Sequence, residues 1–397
     1  MSEQSTYKSL LNLIGAKRLI FFGFLGRAPY SMLQVGMVIF GNFKTDSYAI
    51  GGAMAAGFSI SNAFIQPLNG RLIDRYGQKK IVSYLLTLFL ISTAAISFFS
   101  FKLDFIYILL SILIGISVPN IGVYTRRNWK LVARSEDNQK VQAIESAIDE
   151  LNFLIGPSVF AIVSKLINPV LALFIAVLSS TVGTIGVVFF KNLQDRIKIE
   201  DKKKIHNKIW LSKEKILFLI TLVLVGACLS SISVYVVAKE DFENLNNLTA
   251  IYYLLNGSTA LLTALSFGYI FKNKVSLINY NKTLLFLSFS VTTYFWFNEI
   301  NYLYFSAILS GFGIGPIFLL ANSYISNITE DDILTEAYSW VGSAVGAGLA
   351  IGSILFGYMI EQYSLIFAKN LFLIFPLSAI LLIPLNKGWH KIEYEKS

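Results

Sequence analysis

Three ionisable side chains lie deep inside long apolar runs of this sequence: Arg27 near the start, and the adjacent acids Asp149 and Glu150 further along. An ionisable side chain inside a bilayer costs about 3 kcal/mol on insertion scales, so such residues usually mark function. With a helix rise of about 1.5 Å per residue, Arg27 lies about 12 Å from one end of its run, and the acids lie at a matching depth in theirs. We therefore predict an ion pair between Arg27 and Asp149 or Glu150.

Two roles are open for that pair. A carboxylate beside an arginine stays ionised, whereas one that is separated from it or buried takes up a proton more readily. If helices move between two states, protonation and conformation become linked, and the pair acts as a proton switch. The other role is a permanent ion pair that holds two helices together. Glu145 shares a helix face with Asp149 and is expected near the membrane interface, within reach of water.

Composition favours a membrane protein without enzymatic chemistry. The chain has 397 residues, of which 55% are apolar and 14% charged, an apolar share too high for one soluble core. The single cysteine, Cys228, excludes a disulfide framework. His206 and His390 lie outside the apolar runs, and no phosphate-binding loop, zinc-type spacing or Ser-His-Asp set is present. We therefore expect no enzyme activity, no cofactor and no metal.

Apolar runs of about 17 to 25 residues recur along the whole chain, and each is long enough to cross a bilayer. They predict an all-α membrane protein with twelve transmembrane helices, so that both termini share one side. The runs are 19–40, 48–69, 81–100, 105–125, 142–164, 168–190, 214–237, 248–271, 282–298, 301–325, 336–360 and 365–385.

Positive charge decides the orientation. Of the 33 Lys and Arg residues, 27 lie on the side of the termini, five lie on the other side and Arg27 lies within a run. This imbalance places both termini in the cytoplasm, in a plasma (inner) membrane. The net charge of +9 therefore belongs to a membrane face and indicates no nucleic-acid partner. The basic segment 191–213 is predicted to link an N-terminal six-helix bundle, 1–190, to a C-terminal one, 214–397.

A short charged stretch, Gly70–Lys80, joins the second and third runs as a predicted tight loop. Its spacing resembles the loop between helices 2 and 3 of the major facilitator superfamily, roughly Gly-x-Leu-x-Asp-Arg-x-Gly-Arg-Lys, with Gln78 in place of the first basic residue. This resemblance implies a fold of two pseudo-symmetric six-helix bundles around a central path. It also implies a latch on the cytoplasmic face, for which the candidate residues are Gly70, Asp74, Arg75, Gly77 and, as a partner of Asp74, Arg127.

Other motifs agree with a two-half transporter. Ile112–Gly115 and Pro119 are echoed by Ile308–Gly311 and Pro316, about half the chain later. Prolines inside the runs are expected to bend or break helices around a cavity. Gly156–Pro157 resembles the helix-5 motif of the drug–proton antiporter branch, although the glycine pair that should follow is absent.

Polar residues spaced along several runs predict a neutral or amphipathic cavity wall that binds the substrate. Each of them alone is more often a hydrogen bond between helices than a ligand contact. The candidates are Gln34, Asn62, Gln66, Asn120, Tyr124, Asn256 and Asn322.

The sequence thus predicts a monomeric secondary transporter that exports a small organic compound against proton entry. A nutrient symporter with the same fold and the opposite flux is the first alternative. A membrane sensor that transports nothing is a second, although no segment is long enough for a sizeable soluble output domain.

Overall fold

The computed structural model describes residues 10–133, 138–188, 213–270, 277–296, 300–328, 334–371 and 373–382. Apart from Lys213, the predicted linker 191–213 lies outside them. The described helices are α1 (Ala16–Thr45), α2 (Tyr48–Tyr76), α3 (Gln78–Phe98), α4 (Phe105–Ser117), α5 (Ile121–Val132), α6 (Asn138–Leu166), α7 (Pro169–Val188), α8 (Lys213–Phe242), α9 (Leu248–Ile270), α10 (Leu277–Trp296), α11 (Ile300–Ile328), α12 (Leu334–Gln362), α13 (Leu365–Leu371) and α14 (Ile374–Leu382).

These elements form the twelve predicted spans, because α4 with α5, and α13 with α14, each make one crossing. Helices are the natural solution in hydrocarbon, since every backbone N–H and C=O is then paired within its own segment. Within the described residues, nine spans are recognisable as membrane-crossing from length and composition alone. The first helix, α1, is not among them, because Arg27 and Gln34 lower its mean hydropathy.

The predicted charged loop is almost entirely helical. Helix α2 continues to Tyr76 and α3 begins at Gln78, so Gly77 alone separates them. Gly77 has a φ of 89°, which favours glycine, and its N–H closes the last turn on Ile73 O at 2.8 Å. The expectation of a loop starting at Gly70 was wrong, because polar residues beyond the apolar run can extend a helix as long as its backbone bonds continue.

The two halves, α1–α7 and α8–α14, pack in matching patterns. In the first half α1 lies between α6 and α7 while α2 packs on α4; in the second half α8 lies between α12 and α14 while α9 packs on α11. The echo noted in the sequence is a repeated contact. A β-carbon at Gly115 would collide with the Phe58 carbonyl of α2, and one at Gly311 with the Asn256 carbonyl of α9.

The halves meet mainly through two helix pairs, α2 with α12 and α6 with α9, with smaller contacts of α8 on α1 and α2. We call the membrane side on which α1 begins the N face and the other side the far face. The described hydrogen bonds between the halves lie at mid-membrane or towards the far face, as in Ser158 Oγ to Ala250 O at 3.4 Å and Tyr48 Oη to Asp241 Oδ2 at 2.6 Å.

The prolines behave differently from one another. Pro119 lies in the gap between α4 and α5, where Asn120 caps the new helix by accepting from Val123 N. Pro29, Pro157 and Pro316 lie inside continuous helices, so of the expected bends or breaks only Pro119 is a break. Neighbouring helices and side chains can satisfy the backbone groups that a proline frees.

Candidate functional site

Arg27 lies in the interior of the first half. Helix α1, which carries it, is surrounded by α5, α6 and α7, and the arginine is only 7% exposed. A buried guanidinium needs an acid partner, because an uncompensated charge in the interior costs several kcal/mol.

Glu145 is the main partner of Arg27, and it is fully buried. Its Oε2 accepts from Arg27 Nη2 and from Thr125 Oγ1 at 2.8 Å, while Oε1 accepts from Trp129 Nε1 at 2.8 Å. Arg27 Nη2 also lies 2.6 Å from Thr125 Oγ1. This network, which we call the Arg27 cluster (Arg27, Thr125, Trp129, Glu145), ties α1, α5 and α6 together.

The expectation that Glu145 lies near the interface within reach of water was wrong. Helix α5 extends to Val132, beyond the predicted end of its span, and brings Trp129 over the carboxylate. Trp129 is itself 1% exposed. Depth counted along α6 alone could not show this, since a neighbouring helix provides the cover.

Asp149 lies one turn after Glu145 and also pairs with Arg27, with Oδ1 3.3 Å from Nη1. Its side chain is 36% exposed, in contrast to the buried Glu145. Of the two predicted partners, the structure therefore pairs Asp149 with Arg27. Glu150 follows on the same helix and is partly exposed. The Arg27 guanidinium thus pairs with one buried carboxylate, Glu145, and with one partly exposed carboxylate, Asp149.

Beside Asp149 lie two partly exposed aromatic side chains, Tyr30 of α1 and Phe153 of α6. They are 36% and 42% exposed, and their ring centroids are 6.1 Å apart in an edge-to-face arrangement. Tyr30 is hydrogen-bonded to the predicted site residue Gln34. Sequence reasoning missed Tyr30, although its i+3 spacing from Arg27 places both on one face of α1.

The other predicted substrate-binding residues have varied surroundings. Asn62 donates to Gly115 O at 3.2 Å, and Asn256 donates to Ala307 O and Ser310 Oγ at 3.0 and 2.9 Å, all within one half. Tyr124 is buried, whereas Asn322 is exposed. Asn120 caps α5, and the side chain of Gln66 lies outside the described part of the structure. Substrate binding by these residues stays a prediction.

The structure describes only some residues of the two remaining predicted motifs, the latch and the Gly156–Pro157 motif. Asp74 and Arg75 lie near the end of α2, and Arg127 lies in α5, but their side chains are among those outside the description, so the latch stays a prediction. Gly156 and Pro157 are buried in a continuous α6. At Gly156 a β-carbon would collide with the Ser31 hydroxyl of α1, which explains the glycine by close helix packing.

A separate, small crevice lies in the second half between α8, α10 and α14. Its walls are almost entirely apolar, with Leu224, Leu284 and Phe375 among them, and it lies away from the Arg27 cluster. It provides no group that could couple to protons at ordinary pH.

Chemically, the Arg27 cluster can hold charge in place while Asp149 gains or loses a proton. Protonating Asp149 leaves the arginine neutralised by Glu145, whereas protonating Glu145 would disrupt three buried hydrogen bonds. No group of three or more His, Cys, Asp or Glu suited to a metal ion occurs among the described residues.

Comparison with known proteins agrees with this architecture. The sequence matches the family model of the Major Facilitator Superfamily over residues 19–287 and 282–396. No curated relative matches it significantly. Its fold is similar to the crystal structure of the nucleoside transporter NupG, with a TM-score of 0.68 at 14% identity over 94% of this chain and 98% of that one. It is also similar to a POT family transporter in complex with 5-aminolevulinic acid, with a TM-score of 0.73 at 14% identity over 96% of this chain and 97% of the other.

Proposed function

Since this chain belongs to the Major Facilitator Superfamily, we propose that it moves a small organic compound across the plasma membrane by alternating access, with proton-coupled export as the main mode. The N face is the cytoplasmic face in this proposal, as the distribution of Lys and Arg favours. Asp149 is the coupling carboxylate. The observation that carries this assignment is the unequal burial of the two acids on Arg27, 0% for Glu145 and 36% for the Asp149 side chain.

Protonation of Asp149 and protonation of Glu145 would leave Arg27 in different surroundings. Removing the only partner of a buried charge costs about 3 to 5 kcal/mol. Arg27 avoids that cost when Asp149 is neutral, because Glu145 still faces it. Asp149 can therefore titrate during a cycle without stranding the arginine, and Glu145 is assigned the permanent structural role.

Glu150 is the second coupling candidate in this proposal. It is adjacent to Asp149 and partly exposed, so two like charges share one open region, which favours proton uptake by one of them. Tyr30, Phe153 and Gln34 line the same region and supply the amphipathic surface that a small organic substrate requires.

The test is transport by the pure protein in liposomes that contain a pH-sensitive dye. A panel of amphipathic amines, neutral amphiphiles, nucleosides and dipeptides is added from either side. Export coupled to proton entry predicts internal acidification when substrate leaves vesicles kept acidic outside, beyond the slow acidification of vesicles without substrate. The signal should disappear in Asp149→Asn and persist in Glu145→Gln molecules that remain folded.

Other outcomes of the liposome assay would indicate a different transport mode or a different coupling residue. Proton and substrate movement in the same direction establishes the symporter alternative. Transport without a proton signal, or a normal signal in Asp149→Asn, overturns Asp149 as the coupling group, and Glu150→Gln then decides whether its neighbour carries the proton.

A further inference from the structure

An apolar cluster lies on the N-face side of the Arg27 cluster. It joins the segment before α1 to the first turns of α1, the end of α5 and the start of α6, and its buried members are Leu10, Ala16, Leu19, Trp129 and Val141. Arg27 follows Leu19 by eight residues, which places it about 12 Å deeper at 1.5 Å per residue. The apolar cluster therefore separates the Arg27 cluster from the N face.

Trp129 is shared by the two clusters. Its indole Nε1 donates to Glu145 Oε1 at 2.8 Å, while its ring belongs to the apolar cluster. Trp129 and Leu10 are each 1% exposed, and Glu145 is fully buried. The cover over the Glu145 carboxylate thus depends on α5, α6 and the residues that precede α1.

Residues 10–15, which precede α1, have one side in the protein and one side outside it. Leu10 is buried and Leu13 packs against the apolar cluster, whereas Leu11 and Ile14 are 37% and 93% exposed. A turn closed by Leu13 N on Leu10 O at 3.2 Å brings the two inward side chains together. Because burial of an apolar side chain is favourable, Leu10 holds this segment on the cluster.

Gly15 sets the direction in which the segment leaves α1. It is the N-cap residue of α1 and has a φ of 97°, which favours glycine because residues with a β-carbon are strained there. Its carbonyl oxygen accepts from Leu19 N at 2.9 Å in the first turn of the helix. A larger residue at position 15 would strain the connection that places Leu10 in the apolar cluster.

We propose that residues 10–15 form an N-face plug that keeps water from Glu145, so that Glu145 takes no part in proton exchange while Asp149 does. Leu10 is a positioning residue, because it acts through Trp129 and carries no proton itself. Without the plug, Arg27 would lose its fixed partner whenever Glu145 took up a proton. The seal does not depend on transport, but its importance for coupling rests on the proposed function.

The test is chemical modification of carboxyl groups in the full-length protein in lipid nanodiscs. A water-soluble carbodiimide couples glycine ethyl ester to carboxyl groups that water reaches, and fragment mass spectrometry locates the product. In the unaltered protein Asp149 should react and Glu145 should not. Leu10→Ala should raise the modification of Glu145 relative to Asp149 by at least about tenfold, because removal of buried methyl groups favours local opening.

Two further variants and one internal control make the result specific. Leu11→Ala makes the same change at the neighbouring, more exposed leucine and should leave Glu145 unmodified. Gly15→Ala strains the connection without removing an apolar side chain, and it should expose Glu145 as Leu10→Ala does. Glu240 of α8 is 7% exposed in the other half and should stay unmodified in every variant.

An unmodified Glu145 in both Leu10→Ala and Gly15→Ala would overturn the plug. Modification of Glu240 together with Glu145 would also overturn it, since the segment would then stabilise the whole fold instead of sealing one carboxylate. The assay needs no substrate, so it is independent of transport. Glu145 exposed by Leu10→Ala in a protein that transports none of the compounds tested supports the plug and counts against the proposed transport.

Discussion

Glu145 and Asp149 lie one helical turn apart on α6, yet their surroundings are opposite. Glu145 accepts three hydrogen bonds from α1 and α5 in a fully buried position, whereas Asp149 is open on one side. Both acids pair with Arg27, yet they are not equivalent, because Glu145 is sealed from solvent and the side chain of Asp149 is 36% exposed.

This difference predicts unequal losses of stability. Glu145→Gln should lower the free energy of unfolding by about 3 kcal/mol, because a buried arginine loses its sealed partner. Asp149→Asn should cost less than about 1 kcal/mol, since a partly exposed pair is screened by water. Thermal unfolding of the two purified variants checks this, and equal melting temperatures would contradict it.

A double-mutant cycle tests whether the Arg27 cluster acts as a unit. Arg27→Met and Glu145→Leu should each lower expression, since the first leaves the buried Glu145 without its cation and the second leaves Arg27 with only the partly exposed Asp149 as an acid partner. The double variant should recover much of the loss, because apolar residues of similar volume can replace a buried ion pair. Membrane-fraction immunoblots measure the levels, and additive losses would show that the residues are independent.

The sequence could predict that Arg27 needs an acid, because an arginine inside an apolar run is costly wherever it lies. It could not predict that Glu145 is the sealed one. That result depends on Trp129 and Thr125, which carry no charge and belong to a helix that extends beyond its apolar run. Uncharged hydrogen-bond donors give little signal in a single sequence.

At the scale of the helices, close glycine packing holds α2 against α12. A β-carbon at Gly52 would overlap the Ser353 carbonyl, and one at Gly346 would lie 2.7 Å from the β-carbon of Ala63. Small residues let two backbones approach, and in a membrane such packing is a source of helix association.

Two glycine substitutions should have opposite consequences. Gly52→Ala places a methyl group against the Ser353 carbonyl and should loosen the contact between α2 and α12, which thermal unfolding of the purified variant would report as a lower melting temperature. Gly342→Ala is the matched control, since nothing lies within 4 Å of its β-carbon position. It should keep or raise the melting temperature, because alanine gains up to about 1 kcal/mol in helix propensity. A similar shift in both variants would refute close packing as the cause.

Apolar runs predicted the helices well, because burial in hydrocarbon requires about 20 apolar residues regardless of context. The ends were predicted less well. Helix α1 spans Ala16–Thr45 against a predicted 19–40, since polar residues at the membrane surface can continue a helix. The chain also breaks at Pro119 but stays helical through Pro157. This difference depends on the neighbouring helices, which the sequence pattern does not show.

At the scale of the whole molecule, the similarity of the two halves gives only a weak signal in the sequence but is clear in the way their helices pack. Gly115 of α4 approaches a backbone carbonyl of α2, and Gly311 of α11 makes the same close approach to α9. At both positions a β-carbon would collide with the facing helix, which explains why glycine stands there in each half.

The charged end of α2 belongs to this scale, because a latch there would act between helices on the N face. Asp74→Asn should abolish transport while the protein remains in the membrane at a normal level. The proteoliposome assay with a matched immunoblot measures both. Normal transport by this variant would refute the latch, and loss of the protein from the membrane would assign Asp74 to folding.

The separation of Arg27 and Glu145 along the chain has a consequence for biogenesis. The two partners are 118 residues apart, so at 5 to 20 residues per second the ribosome takes roughly 6 to 24 s to deliver the acid after the arginine. During that interval the first of these helices carries Arg27 without its acid partner, and the bundle can close around the arginine only when α6 arrives.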